Sequence, residues 1–230
     1  YLALLVSGGH CQLLWVQGVG DCSVLGGTLD DALGEAYDKA ARMLRLSSAT
    51  GGGPALERAA VKGNATAIDL PVPMKKRRDC DFSYAGLKNA LRGRVAELRL
   101  QRGLGDDDML PEQDVYDLAA SFQSVAIEHV EDRLKVAFKR VDGGASPTLA
   151  LVGGVAANAE LRRRVAAVAS TAGWRLVVPH PRLCTDNGVM VAWSAIEKAS
   201  LGFSDEIDEE VELDEVEALP PFEGLAIPPQ

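Results

Sequence analysis

Three glycine-centred stretches and three lone polar residues carry the types and spacings that could do chemistry in this chain. Ser7-Gly8-Gly9 sits between the apolar runs Leu2–Val6 and Cys11–Leu14. Two short strands around such a turn make a hairpin, and its backbone N–H groups, uncovered by side chains, are expected to be free to approach a phosphate or another anion. Gly51-Gly52-Gly53-Pro54 and Gly153-Gly154 each precede a helical pattern, and glycines at a helix start let the backbone close on an anionic ligand. Asp38 reads either as part of a solvated acidic stripe with Asp31 and Glu35, or as an acceptor for ribose hydroxyls. Asn158 reads as an ordinary helix cap or as a ligand contact. Asp186 reads as an N-cap or as a metal ligand.

The elements that must position these residues follow from periodicity. Residues 2–7 and 11–17 are predicted as the hairpin, and 21–26 as a third strand. A helix is predicted from about Thr28, its N-cap, to Leu46, with Asp30 and Asp31 favouring the positive end of its dipole. Its apolar face would be Leu29, Ala32, Leu33, Ala36, Tyr37, Ala40, Met43 and Leu44. A second helix covers 55–62. Residues 63–92 read as loop and short strand running into a helix, and 101–113 as a linker. A long helix covers 115–140, with His129 in its apolar stripe as a core histidine. Strand 148–152, helix 156–169, strand 174–179 and helix 189–199 complete the pattern. Helices interleaved with antiparallel and parallel strands give an α/β fold with a mixed sheet.

Composition narrows the function classes. The 230 residues are 47% hydrophobic and 25% charged, as in globular proteins. No apolar run approaches the roughly 20 residues that span a bilayer, so no membrane partner is expected. Net charge is −9, but nine acidic residues lie between Asp205 and Glu217 without a Lys or Arg. The remaining body is neutral, and residues 204–230 read as a solvated acidic tail on a domain covering 1–203. The body can therefore hold nucleic acid. Lys75-Lys76-Arg77-Arg78, beside Phe82 and Tyr84, reads as a solvated surface loop or as a phosphate-backbone contact. Cys11, Cys22, Cys80 and Cys184 lack CxxC spacing, so no disulfide framework is expected, and Cys11 and Cys22 read as small core residues. The chain starts at Tyr1 inside a strand, without Met, and a further N-terminal part is expected upstream.

Six motifs in order, LVSGGH at 5–10, GEAYDK at 34–39, GGP at 52–54, DFSYAGLKNAL at 81–91, LVGGVAAN at 151–158 and CTDNGVMVAW at 184–193, closely resemble the tRNA adenosine threonylcarbamoyltransferase family. That family was once described as glycoprotease or O-sialoglycoprotein endopeptidase. The likeness runs from about Leu2 to Lys198, and DFSYAGLKNAL resembles the bacterial and organellar branch. It implies an actin-like, Hsp70-like ATPase fold, of which this chain carries mainly the C-terminal lobe. It also implies transfer of a threonylcarbamoyl group from threonylcarbamoyl-adenylate to the exocyclic amine of the adenosine next to the anticodon, in tRNAs that read codons starting with A.

Carried over by residue, the resemblance puts Leu5, Val6, Ser7, Gly8 and Gly9 along the substrate site. Asp38 and Gly53 would hold the nucleoside, Asn158 would touch the substrate, and Asp186 would bind one divalent metal ion, iron or zinc. The family's two metal-binding histidines belong upstream of the LVSGG stretch, outside this chain, so the chain is expected to expose an apolar lobe interface. Implied partners are tRNA, the adenylate, and either a second copy or helper subunits. Implied locations are mitochondrion or plastid in a eukaryote and cytoplasm in a bacterium. Two competing readings are an ATP-dependent kinase or ATPase of the actin-like superfamily, and a non-catalytic paralogue acting as a dimerisation partner.

Overall fold

The structure, a computed structural model, describes residues 1–46, 51–105, 107–180, 183–184 and 187–203. Strands β1 (Leu2–Val6), β2 (Cys11–Gly18), β3 (Asp21–Gly27), β4 (Thr148–Val152) and β5 (Arg175–Val177) form one sheet in the order β3-β2-β1-β4-β5. β1 pairs antiparallel with β2, and β2 with β3; β1 and β4 are parallel, as are β4 and β5. The expected α/β fold with a mixed sheet is therefore present. β1 is central, and its Leu2, Leu4 and Val6 are fully buried. β3 is an edge strand, and its outer half, Asp21–Val24, faces solvent. That corrects the reading of Cys22, which is exposed, whereas Cys11 on β2 lies in the core.

The helices are α1 (Leu33–Met43), α2 (Gly52–Ala60), α3 (Ala85–Gln101), α4 (Glu112–Arg140), α5 (Ala159–Thr171) and α6 (Gly188–Ser200), with a 3₁₀ turn at Gly154–Ala157. α4 is the spine. Phe122, Ala126, Val130, Leu134 and Ala137 recur at helical spacing and are fully buried, and α2, α3 and α5 pack along it. His129 is buried in the same stripe, with Phe82 and Tyr84 set edge-on to its ring at 5.7 and 5.5 Å.

α1 starts five residues later than the sequence predicts, because the polar residues before it serve other elements. Thr28 forms a bridge with Phe82 and donates its hydroxyl to the Asp31 carbonyl at 2.6 Å. The Asp30 carboxylate accepts from the Tyr84 N–H at 2.7 Å and from the Ser83 hydroxyl at 2.5 Å, capping α3 across more than fifty residues of chain. Asp31 pairs with Lys39 and Lys88. Burial pushes the Asp31 carboxyl up, but the hydrogen bonds from these two lysines outweigh it and hold the group below the usual carboxylate range. Leu29, expected on the apolar face of α1, is consequently exposed.

α6 is the most apolar helix, yet none of its residues is buried, and Trp193 and Ile196 are each 65% exposed. No helix among the described residues is long and apolar enough to cross a membrane. The acidic tail lies outside the described residues.

Candidate functional site

All three glycine turns meet at one end of β1 and β4. One joins β1 to β2, and the other two precede α2 and the 3₁₀ turn before α5. The β1–β2 turn closes with the Ser7 N–H donating to the His10 carbonyl at 2.7 Å. Contrary to the sequence expectation, its N–H groups are not all free. The Ser7 hydroxyl oxygen accepts from the Gly9 and His10 N–H groups at 3.2 and 2.9 Å, a serine turn that uses two of them locally. The α1 N-terminus packs directly beneath. Gly34 donates to the Ser7 carbonyl at 3.1 Å, and a Cβ on Gly34 would lie 2.7 Å from that oxygen. Only glycine lets the helix come this close.

The other two turns share one device. Gly51 and Gly153, the residues before α2 and before the 3₁₀ turn, have φ/ψ of 97°/173° and 95°/167°. That region of backbone space is open essentially to glycine alone. Each therefore folds the chain sharply into the helix that follows.

Side chains from neighbouring elements cap these helix starts. Asp38 on α1 accepts from the Gly53 N–H at 2.8 Å through Oδ1, and its Oδ2 takes no hydrogen bond from the described residues. This separates Asp38 from its sequence neighbours on the acidic stripe, since Asp31 and Glu35 share Lys39. Asn158 is the N-cap of α5. Its oxygen accepts from the Leu161 N–H at 2.8 Å, and its amide donates to Gln123 on α4 at 3.0 Å. Glu57 on α2 accepts from the Ala159 N–H at 2.8 Å, a second cap on α5. Asn158→Ala would remove the cap and leave Gln123 unpaired, destabilising the fold by about 1–2 kcal/mol. Urea unfolding with an unchanged denaturant slope measures this.

The capped ends enclose a cavity of about 270 Å³, lined by Gly8, Gly34, Tyr37, Asp38, Gly53, Glu57, Gly154 and Asn158 among others. Four residues expected at a substrate site, Gly8, Asp38, Gly53 and Asn158, are thus brought together. Ser7 and Gly9 flank Gly8 in its turn. Val6 is fully buried, and Leu5 pairs within the sheet with Gln12 and Val152; both support the turn from behind and do not line the cavity. Asp186 lies outside the described residues. Among the described residues, no group of three His, Cys, Asp or Glu side chains could hold a metal ion.

Sequence reading missed Glu57 and Tyr37. Glu57 carries no local signal, because its partner is a hundred residues away. Tyr37 looks like core and largely is: it is 2% exposed and set edge-on to Phe122 at 5.7 Å. Its hydroxyl nevertheless has no partner among the described residues, and burial, with Glu57 nearby, pushes its pKa well up.

Gly8 and Gly154 differ from Gly34, Gly51 and Gly53, the other glycines that line the cavity, and resemble Gly9 in the β1–β2 turn. Neither has a positive φ, and a Cβ on either would meet nothing within 4 Å. Nothing within the described structure requires glycine there. Both line the cavity.

Comparison with known proteins adds an independent line. A family model described as tRNA N6-adenosine threonylcarbamoyltransferase matches residues 2–193. Two curated proteins of that name, from Methylocapsa acidiphila and Methylorubrum populi, are 46% and 47% identical over 209 residues. These alignments cover 90% of this chain and 56% and 57% of the relatives, so the chain spans little more than half the length of the proteins it matches. Among solved structures, the activator of the 2-hydroxyisocaproyl-CoA dehydratase from Clostridium difficile, with bound ADPNP, matches at a TM-score of 0.47 and 16% identity, over 90% of this chain and 64% of that one.

Proposed function

Because the chain belongs to the tRNA N6-adenosine threonylcarbamoyltransferase family, we propose that its glycine-walled cavity grips the adenylate end of an activated threonylcarbamoyl donor. The protein that carries this chain then transfers the acyl group to a tRNA adenosine. One observation carries this reading. Two glycines that the fold does not need, Gly8 and Gly154, border the same cavity as Asp38 and Asn158.

The chemistry suits the walls. The helix N-termini at the cavity carry partial positive charge, a setting for the phosphate of a nucleotide. The unused Oδ2 of Asp38 is an acceptor for ribose hydroxyls, as carboxylates are in other nucleotide sites. In the reaction, the adenosine amine attacks the carbamoyl carbonyl, a C–N bond forms, the bond to the phosphate oxygen breaks, and AMP leaves as the amine gives up a proton. Holding the leaving group still while the amine approaches is the protein's main contribution on this reading. A cavity of this size is just under the usual range for ligand sites, about 300–1,000 Å³, and would hold the nucleotide end alone. The divalent metal belongs to this reading as well. Asp186 would ligate it, with its other ligands from outside this chain, and it would polarise the acyl carbonyl.

The family assignment favours the transferase over a kinase or a non-catalytic paralogue. Mass spectrometry of tRNA nucleosides decides it. A strain lacking the gene should lose threonylcarbamoyl adenosine and regain it when the full-length gene is returned. Unchanged nucleosides in the deletion strain would remove the assignment.

A further inference from the structure

Away from the cavity, the longest basic run of the chain is held against α4. The loop carrying Lys75-Lys76-Arg77-Arg78 is strapped to α4 by two arginines. Arg133, 1% exposed, donates to the carbonyls of Met74, Arg77 and Asp79 at 3.1–3.3 Å. Arg140 donates to the carbonyl of Arg78 at 2.8 Å. Backbone oxygens face α4, and the loop's own cationic side chains stay exposed. Lys75, Arg77 and Arg78, with Lys135, Lys139 and Arg140 of α4 and Asp132 among them, line a groove of about 460 Å³, and Lys76 stands beside it in the loop.

Some of these cations have carboxylate partners: Lys75 has Glu128, Arg77 has Asp79 and Asp81, and Lys135 has Asp132. Lys76, Arg78, Lys139 and Arg140 have none among the described residues. Four unpaired cations held on one scaffold attract an anion with several charges. Lys135 and Lys139 also border a second, more apolar groove, where the Phe138 and Trp174 rings stack at 4.8 Å.

α4 fixes the distance from this face to the cavity. Gln123, bonded to Asn158, marks the cavity end. Lys135 and Lys139 lie 12 and 16 residues further on, about 18–24 Å along the helix. A ligand the size of a nucleotide cannot reach from one to the other, whereas a folded RNA can.

We propose that the 75–78 loop and the C-terminal half of α4 form a docking surface for the phosphate backbone of the RNA whose base is modified at the cavity. This rests on the transferase reading for the identity of the RNA, and on the geometry for the site. The contacts are to phosphate and therefore position the substrate without reading its sequence.

The test is tRNA binding to the full-length protein at several salt concentrations, for the wild type and for a Lys76→Gln, Arg78→Gln, Lys139→Gln, Arg140→Gln variant. The variant should bind at least about tenfold more weakly at low salt, with its log–log salt slope shallower by about 3, since each phosphate contact contributes roughly 0.7–0.9. A thermal midpoint equal to that of the wild type shows that the loss is not unfolding. A Lys139→Gln single variant, which leaves both straps intact, should show about a quarter of the change in slope. Equal affinity and slope in wild type and variant would overturn the docking surface, as would a wild type that does not bind tRNA. Failure of the wild type to form threonylcarbamoyl adenosine, with the slope difference intact, would instead overturn the transferase reading and leave the surface standing.

Discussion

Adjacent glycines at the end of β4 should fail in opposite ways when each is changed to alanine. Gly153→Ala is expected to destabilise the fold by at least about 3 kcal/mol, because an L side chain must enter a backbone region that is open essentially only to glycine. Its Cβ would also fall 2.3 Å from the Val6 carbonyl oxygen. Val6 is fully buried at the end of the central strand, so neither partner can give way cheaply. For a protein of this size that loss lowers the thermal midpoint by roughly 6–12 °C. Gly154→Ala meets nothing within 4 Å and should stay within about 0.5 kcal/mol of the wild type. It borders the proposed nucleotide space, however. Formation of threonylcarbamoyl adenosine by the full-length protein should fall at least about tenfold, a loss of roughly 1.4 kcal/mol of stabilisation. Thermal unfolding and product analysis on both variants separate the two roles. A Gly154→Ala protein with full activity would mean that the open space is not where the adenylate sits.

That contrast marks how far the sequence alone could be read. The glycine turns were legible because a glycine pair between an apolar run and a helical period seldom occurs except at a tight turn. Their division of labour was not, since Gly153 and Gly154 look the same in one dimension and differ only in backbone angle and neighbours. The long helix was legible because its stripe of Leu118, Phe122, Val130 and Leu134 is regular. The start of α1 was misread because Thr28, Asp30 and Asp31 have the composition of a cap, and all three cap or bridge segments more than fifty residues away. Local propensity cannot see such partners. The same applies to Asn158, where the cap and the cavity position coexist, and to Glu57, whose acceptor role depends on α5 arriving beside α2. At this site a single set of polar groups both closes the helix ends and lines the cavity, so choosing between a structural and a functional reading of each residue poses a false alternative.

His129 should make the fold acid-sensitive well above the range where carboxylates titrate. It is fully buried, and its Nε2 accepts from the Ser83 N–H at 3.2 Å. The neutral ring therefore carries its proton on Nδ1. Burial pushes its pKa down to about 4, Arg133 adding to the effect while Asp132, the backbone of Pro73 and Asp30 oppose it. In the unfolded chain the same group titrates near 6.5. Below that value the unfolded state takes up a proton that the folded state refuses, so stability falls as pH falls. The contribution is complete above about pH 6.5, has dropped by about 2 kcal/mol at pH 5, and by about 3 kcal/mol at pH 4. Asp31, Asp79 and Glu160, held below their ordinary values by lysine and arginine partners, lose their contributions only at still lower pH, so the windows separate. Urea unfolding between pH 7.5 and 4.5 should show this loss in the wild type. His129→Gln retains an acceptor for the Ser83 N–H without a group that titrates there, and its stability should start lower at pH 7.5 and decline less. Parallel declines in the two proteins would place the acid sensitivity elsewhere. The consequence reaches the site, because His129 holds the segment Phe82–Tyr84 that Asp30 caps, and Asp30 lies in the segment leading into α1. Protonating one core histidine therefore loosens the support of the helix that carries Tyr37 and Asp38, and any ligand bound at the cavity should weaken over the same pH interval as the fold.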